Sequence, residues 1–197
     1  MVVVLQSNDL QAWLDATTFE LVPFGDSSVC SGCNVAKRLK DAYNRLASKG
    51  LIEEIQAVVS GHGYCGVTFT GHGVGGALAS YAALVFGRVN DEQDHPLLLF
   101  TFGQPRYGDQ AYTAAHDVEV ENDFRVVHGK DIAPHIPEDS RFVHGGREIW
   151  YSQGMTTILG KCSGDSGSCS NSQSGFTSND GGSATYAALY QVHKEDL

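Results

Sequence analysis

The sequence predicts an α/β fold in which a parallel sheet is joined by crossover helices. Short apolar runs alternate with helix-periodic stretches over roughly 75 residues, the pattern of βαβ units. One of these runs, Val67-Thr68-Phe69-Thr70, passes through a glycine turn straight into an alanine-rich stretch with no polar face, as a buried crossover helix requires. The chain has 197 residues, 42% hydrophobic and 18% charged, which is the make-up of one globular domain, taken here as residues 1–197.

The elements follow in order. Val2 to Leu5 is an apolar strand with nothing before it, so the predicted sheet is N-terminally truncated. Loop is expected through Phe24-Gly25-Asp26-Ser27-Ser28. From Ala36 to Ile55, Leu39, Tyr43, Leu46 and Ala47 recur at the spacing of an amphipathic helix that ends or bends near Ser48-Lys49-Gly50. After the strand at Val67 comes a helix from Ala77 to about Phe86. Leu97 to Phe102 is a strand, Tyr112 to Asp117 a helix, and Phe124 to His128 a strand ending at Gly129-Lys130-Asp131. Beyond Tyr151 the composition turns to Gly, Ser, Asn and Thr, so residues 160 to 184 read as loop within a loop-rich tail over 160–197.

Charge and hydropathy exclude several functions. Thirteen Lys and Arg against 23 Asp and Glu give a net charge of -10 with no basic run, which repels a phosphate backbone and excludes nucleic acid as a partner. The longest apolar run, around Ala77 to Phe86, is about half the ~20 residues of a membrane-crossing helix. Met1-Val2-Val3-Val4-Leu5 is too short and too quickly polar to be a signal peptide. Of the five cysteines, Cys30 with Cys33 and Cys162 with Cys169 are close pairs in Gly/Ser loops, and Cys65 stands alone. A zinc site and a redox CxxC are open readings. Two local disulfides with Cys65 free are preferred, and they imply an oxidising compartment.

The most informative segment is Thr70-Gly71-His72-Gly73-Val74-Gly75-Gly76-Ala77. G-x-S-x-G between strand and helix is the nucleophile elbow of α/β-hydrolases, in which flanking glycines let the strand dive into the helix and leave the central side chain exposed. Here the frame is complete and the centre is Gly73, which keeps the turn and deletes the hydroxyl. The segment also fits G-x-G-x-x-G. A dinucleotide site would need an acidic residue ending a second strand, whereas Asp91 and Glu92 lie in a polar loop.

Together with Val29-Cys30-Ser31-Gly32-Cys33, Thr101-Phe102-Gly103-Gln104-Pro105-Arg106-Tyr107-Gly108, Phe124 through Pro137 and Phe142 through Tyr151, the elbow resembles the fungal class 3 lipases and the related feruloyl esterases, in order and spacing from about Val2 to Asp180. The resemblance implies an α/β-hydrolase of lipase class 3 type: a secreted, monomeric hydrolase of lipids or small esters, without metal or cofactor. It also implies a lid over an acyl groove, which falls on residues 9–29, where Trp13, Leu14, Phe19, Leu21, Val22 and Phe24 either contact lipid or pack in the core. The nucleophile position falls on Gly73, and loss of that serine in an unrelated hydrolase costs on the order of a millionfold in turnover. Asp131 matches the triad acid. The base would follow Asn179-Asp180, after Cys169-Ser170-Asn171-Ser172, and Gly181 stands there; His193 keeps the order nucleophile, acid, base but sits twelve residues late. Val74 N–H is one oxyanion donor, and Ser7, or Asn8 beside it, is the other.

Two fragments imitate a different hydrolase. Thr113-Ala114-Ala115-His116 and Gly164-Asp165-Ser166-Gly167 look like protease signatures, but fifty residues are too few for two β-barrels. His62, His72, His95, His128, His135 and His144 show no i, i+4 metal pattern and read as packed or solvated. The expectation is therefore a lipase-like ester hydrolase, inactive or strongly impaired as written. The alternatives are a protein that binds lipid or ester without cleaving it and a degenerate fragment.

Overall fold

The computed structural model describes residues 1–5, 19–61, 66–90 and 96–177. Strands β1 (Val2–Leu5), β4 (Val67–His72), β5 (Leu97–Phe102), β6 (Asp123–His128), β7 (Arg147–Tyr151) and β8 (Ile158–Ser163) form one sheet in that order. The first five are parallel, and β8 closes the edge antiparallel to β7. Strands β2 (Leu21–Pro23) and β3 (Asn34–Ala36) form a separate antiparallel pair. Helices α1 (Lys37–Ala47) and α2 (Leu51–Ser60) follow it, α3 (Val74–Val89) crosses from β4 to β5, and α4 (Gln110–Glu119) crosses from β5 to β6. The α/β class read from the alternation is the observed one.

Register places Phe69 beside Leu99, Thr101 beside Arg125, and Arg125 beside Glu148 on one face of the sheet. The apolar half of that face lies under α3, which is buried along nearly its whole length, and α1 and α2 pack on α3. Tyr81 of α3 stacks on Tyr43 of α1 at 4.2 Å and on Phe24 at 4.9 Å. Phe24 is thus core, with Phe19, Leu21 and Val29 packed against the same cluster, so residues 19–29 of the lid-like segment make core contacts. Residues 9–18, with Trp13 and Leu14, lie outside the described residues.

The helix expected from Ala36 to Ile55 ends near Ser48-Lys49-Gly50 as read, and a second helix follows because Gly50 takes a left-handed conformation with φ 82° and restarts the chain as the cap of α2. Two boundaries differ from the sequence reading. The helix expected at Tyr112 begins at Gln110, where the Asp109 carboxylate accepts from Tyr112 N at 2.8 Å. The loop expected from 160 is a correction: residues 158–163 are β8, paired to β7 from Arg147↔Ser163 to Tyr151↔Ile158. An edge strand exposed on most of its length needs backbone partners and no apolar period, so its composition hid it. Both expected disulfides are present: Cys30–Cys33 closes the turn between β2 and β3, and Cys162–Cys169 ties β8 to the following loop. Cys65 lies outside the described residues.

The polar half of the same face lies between β6 and β7. Arg125, 1% exposed, donates to Gly145 O and Gly164 O, both at 2.9 Å, and stands 3.7 Å from Glu148, which in turn accepts from Ser170 N. Removing one partner strands the other charge without water. Arg125→Met should therefore lower stability by about 3–5 kcal/mol, read from urea unfolding.

Candidate active site

Gly73 ends β4 and caps α3 with φ 55° and ψ -127°, a conformation that side chains other than glycine adopt only under strain. Its N–H donates to Phe102 O at 2.8 Å, fixing the turn to the end of β5, and its carbonyl accepts from Ala77 N at 3.2 Å to start the helix. Gly71 permits the close approach. A Cβ there would collide with Gly75 O and lie 2.6 Å from Leu5 O. The predicted elbow is thus built as the sequence implied. Val74, the first residue of α3, is buried directly behind it.

Asp131 follows β6, so it and Gly73 sit at the C-terminal ends of parallel strands with β5 between them, the edge where open α/β sheets place their ligands. Asp131 is fully buried, and its Oδ1 accepts from Ala133 N at 2.9 Å. The turn leading to it is anchored by Gly129 N to Tyr151 O and by Trp150 Nε1 to Gly129 O, both at 2.9 Å. The loop after it is held by Arg106, which donates to His135 O at 2.8 Å and Pro137 O at 3.2 Å while pairing with Asp165 at 2.8 Å. Asp131 therefore has fixed position and aim. The chain returns to it at Thr177, which bridges Asp131 in parallel and donates to Lys130 O at 2.9 Å. His193, Gly181, Ser7 and Asn8 lie outside the described residues.

Two described histidines near this edge, His135 and His144, have partners of their own. His135 stacks on Phe176 at 3.8 Å and its Nδ1 meets Asn171 Oδ1 at 2.9 Å; burial, with Arg106 adding to it, pushes its pKa down to about 4. His144 is neutral, held well below the usual range by burial and then by Arg125, and its Nε2–H donates to Pro134 O at 2.8 Å. The protease-like fragments are unrelated to each other. Asp165 pairs with Arg106 and accepts from His144 N, whereas His116 faces Ser80 and Asp123.

His116 instead reveals a cluster that sequence reasoning missed. Its Nε2 lies 2.8 Å from Ser80 Oγ and its Nδ1 3.7 Å from Asp123 Oδ2, a second serine–histidine–aspartate set. Ser80 is 1% exposed and also accepts from Tyr107 OH at 2.6 Å, so no ester reaches it. No sequence signal could have found the set, since Ser80 lies mid-helix and Asp123 starts a strand.

The comparisons agree with this geometry. Residues 1–141 match the family described as lipase (class 3). The chain is 32% identical over 182 residues to a lipase of Rhizomucor miehei, covering 90% of this chain and 49% of that protein. It is 30% identical over 159 residues to a lipase of Rhizopus niveus, covering 79% and 40%. Among solved structures, a Rhizomucor miehei lipase propeptide complex superposes with a TM-score of 0.80 at 28% identity, covering 91% of this chain and 57% of that one. The chain spans about half the length, or less, of these curated relatives.

Two outcomes are expected from the site. Gly73→Ser places a side chain in the strained conformation and should cost about 1–3 kcal/mol, seen as a lower thermal midpoint. His135 is neutral in the fold and takes a proton more readily when unfolded, so stability should be full above pH 6.5 and fall as the pH drops towards about 4. Urea midpoints across that range should fall less steeply for His135→Gln.

Proposed function

This chain belongs to the class 3 lipase family, and we propose that it is a lipase-type carboxylic-ester hydrolase whose own hydrolysis is strongly impaired. The carrying observation is the backbone of Gly73: the elbow conformation is kept, at φ 55°, at a residue with no hydroxyl. A serine there would be activated by an imidazole oriented by Asp131, and Val74 N–H would receive the oxyanion. The base position is Gly181. Thr177, four residues before it in the chain, pairs beside Asp131.

A second reading is favoured by the same residue. Deleting the hydroxyl leaves the N-terminal end of α3, with its donor groups and positive dipole end, able to hold an ester or carboxylate without cleaving it. Lipid or small esters are the substrate or ligand class under both readings. The two disulfides support a secreted protein, acting as a single-domain monomer over 1–197.

Hydrolysis of short-chain p-nitrophenyl esters tests the proposal. The unmodified protein and Gly73→Ser should both stay at background. Gly73→Ser combined with Gly181→His should rise above it and lose the gain on Asp131→Asn. Activity in Gly73→Ser alone that His193→Ala abolishes would assign the base to His193. Strong hydrolysis by the unmodified protein that persists after Asp131→Ala would overturn the reading, and lipid found by mass spectrometry of the purified protein would favour binding without cleavage.

A further inference from the structure

We propose that His116, Asp117 and Asp123 form a zinc site at the turn between α4 and β6, separate from the elbow. His116 Nδ1 stands 3.7 Å from Asp123 Oδ2 and 3.9 Å from Asp117 Oδ1, and all three candidate ligand atoms lie within 4.8 Å of one another. These separations are too long for hydrogen bonds. The two separations from His116 suit donors that share one ion, because bonds of about 2.0–2.2 Å to a common centre leave the donors some 3 to 4 Å apart.

Four further observations point the same way. Asp123 is 3% exposed, yet its Oδ1 has no hydrogen-bond partner among the described residues, which a buried carboxylate does not tolerate without compensation. Gln104 Oε1, in a residue 4% exposed, is likewise unpartnered and lines the same small cavity as His116 and Asp123. Both first-contact groups are braced: Ser80 Oγ orients His116 through Nε2, and Gly146 N–H donates to Asp117 Oδ1 at 2.8 Å. Gly145 and Gly146 lie so close over the carboxylates that a Cβ on either would strike Asp117 or Asp123.

Electrostatics favours a cation here. Two carboxylates meet beside the last turn of α4, whose C-terminal end carries the negative pole of the helix dipole. Arg125 also acts on Asp123; its Nε and Nη2 donate to Gly145 O and Gly164 O, and its Nη1 stands 3.7 Å from Glu148 Oε2. An imidazole nitrogen with two carboxylate oxygens suits zinc better than calcium or magnesium, which take all-oxygen shells. Half-exposed Asp117 gives the ion a path from solvent.

The test is calorimetric titration of zinc chloride into the full chain, disulfides intact, after dialysis against EDTA. One zinc per chain should bind and raise the thermal midpoint. Asp117→Asn, at the half-exposed ligand, should bind at least tenfold more weakly and lose the thermal shift while keeping the far-UV circular dichroism of the parent. Asp123→Asn gives an independent check. The absence of stoichiometric binding, or equal zinc affinity in the parent and in Asp117→Asn, would overturn the site.

Discussion

The architecture at the working edge of this protein depends on one steric constraint, the approach of β4 to the first turn of α3. At Gly71 the strand, the helix and the neighbouring β1 leave no room for a single carbon. That contact sets how sharply the chain turns at Gly73 and where the N-terminus of α3 points. It also sets how deeply α3 sinks onto the sheet, and Gly76 continues the approach against Thr101 and Gln104. The aromatic stack from Tyr81 to Tyr43 and Phe24 is in turn carried on α3.

Glycine at the centre of such an elbow relieves backbone strain and removes chemistry in the same change. A serine at this position would hold an unfavourable conformation to expose a hydroxyl; Gly73 occupies the conformation freely. The turn, the buried Asp131 carboxylate and the helix terminus lie around it. Asp131 illustrates how much of the frame remains, since it is anchored from β7 through Trp150 and Tyr151 and its following loop is clamped by Arg106. A lipase-type frame and a glycine at the centre of the turn therefore coexist without distortion of the turn at Gly73.

The sheet also divides into two regimes. Under α3 the interior is apolar and shape alone orders it. Between β6 and β7 it is polar, and each buried charge is met by loop carbonyls, backbone N–H groups or a counter-ion, as with Arg125, Glu148 and Asp165. The cluster at His116 lies where these regimes meet, which is why a serine from the apolar helix and an aspartate from the polar strand face one histidine.

The sequence by itself determined what repeats locally: the βαβ alternation, the buried helix after a glycine turn and the two cysteine pairs. These follow from periodicity, from glycine at a turn no other residue enters freely, and from short loops that bring cysteines together. Only the tertiary structure decided the rest. Strand β8 exists through backbone pairing with β7, which leaves no trace in side-chain pattern. Phe24 is core because Tyr81 lies opposite it. His116 meets Ser80 and Asp123 because a helix and a strand pack at that register, a contact between residues far apart in the chain, and no spacing rule encodes such a contact.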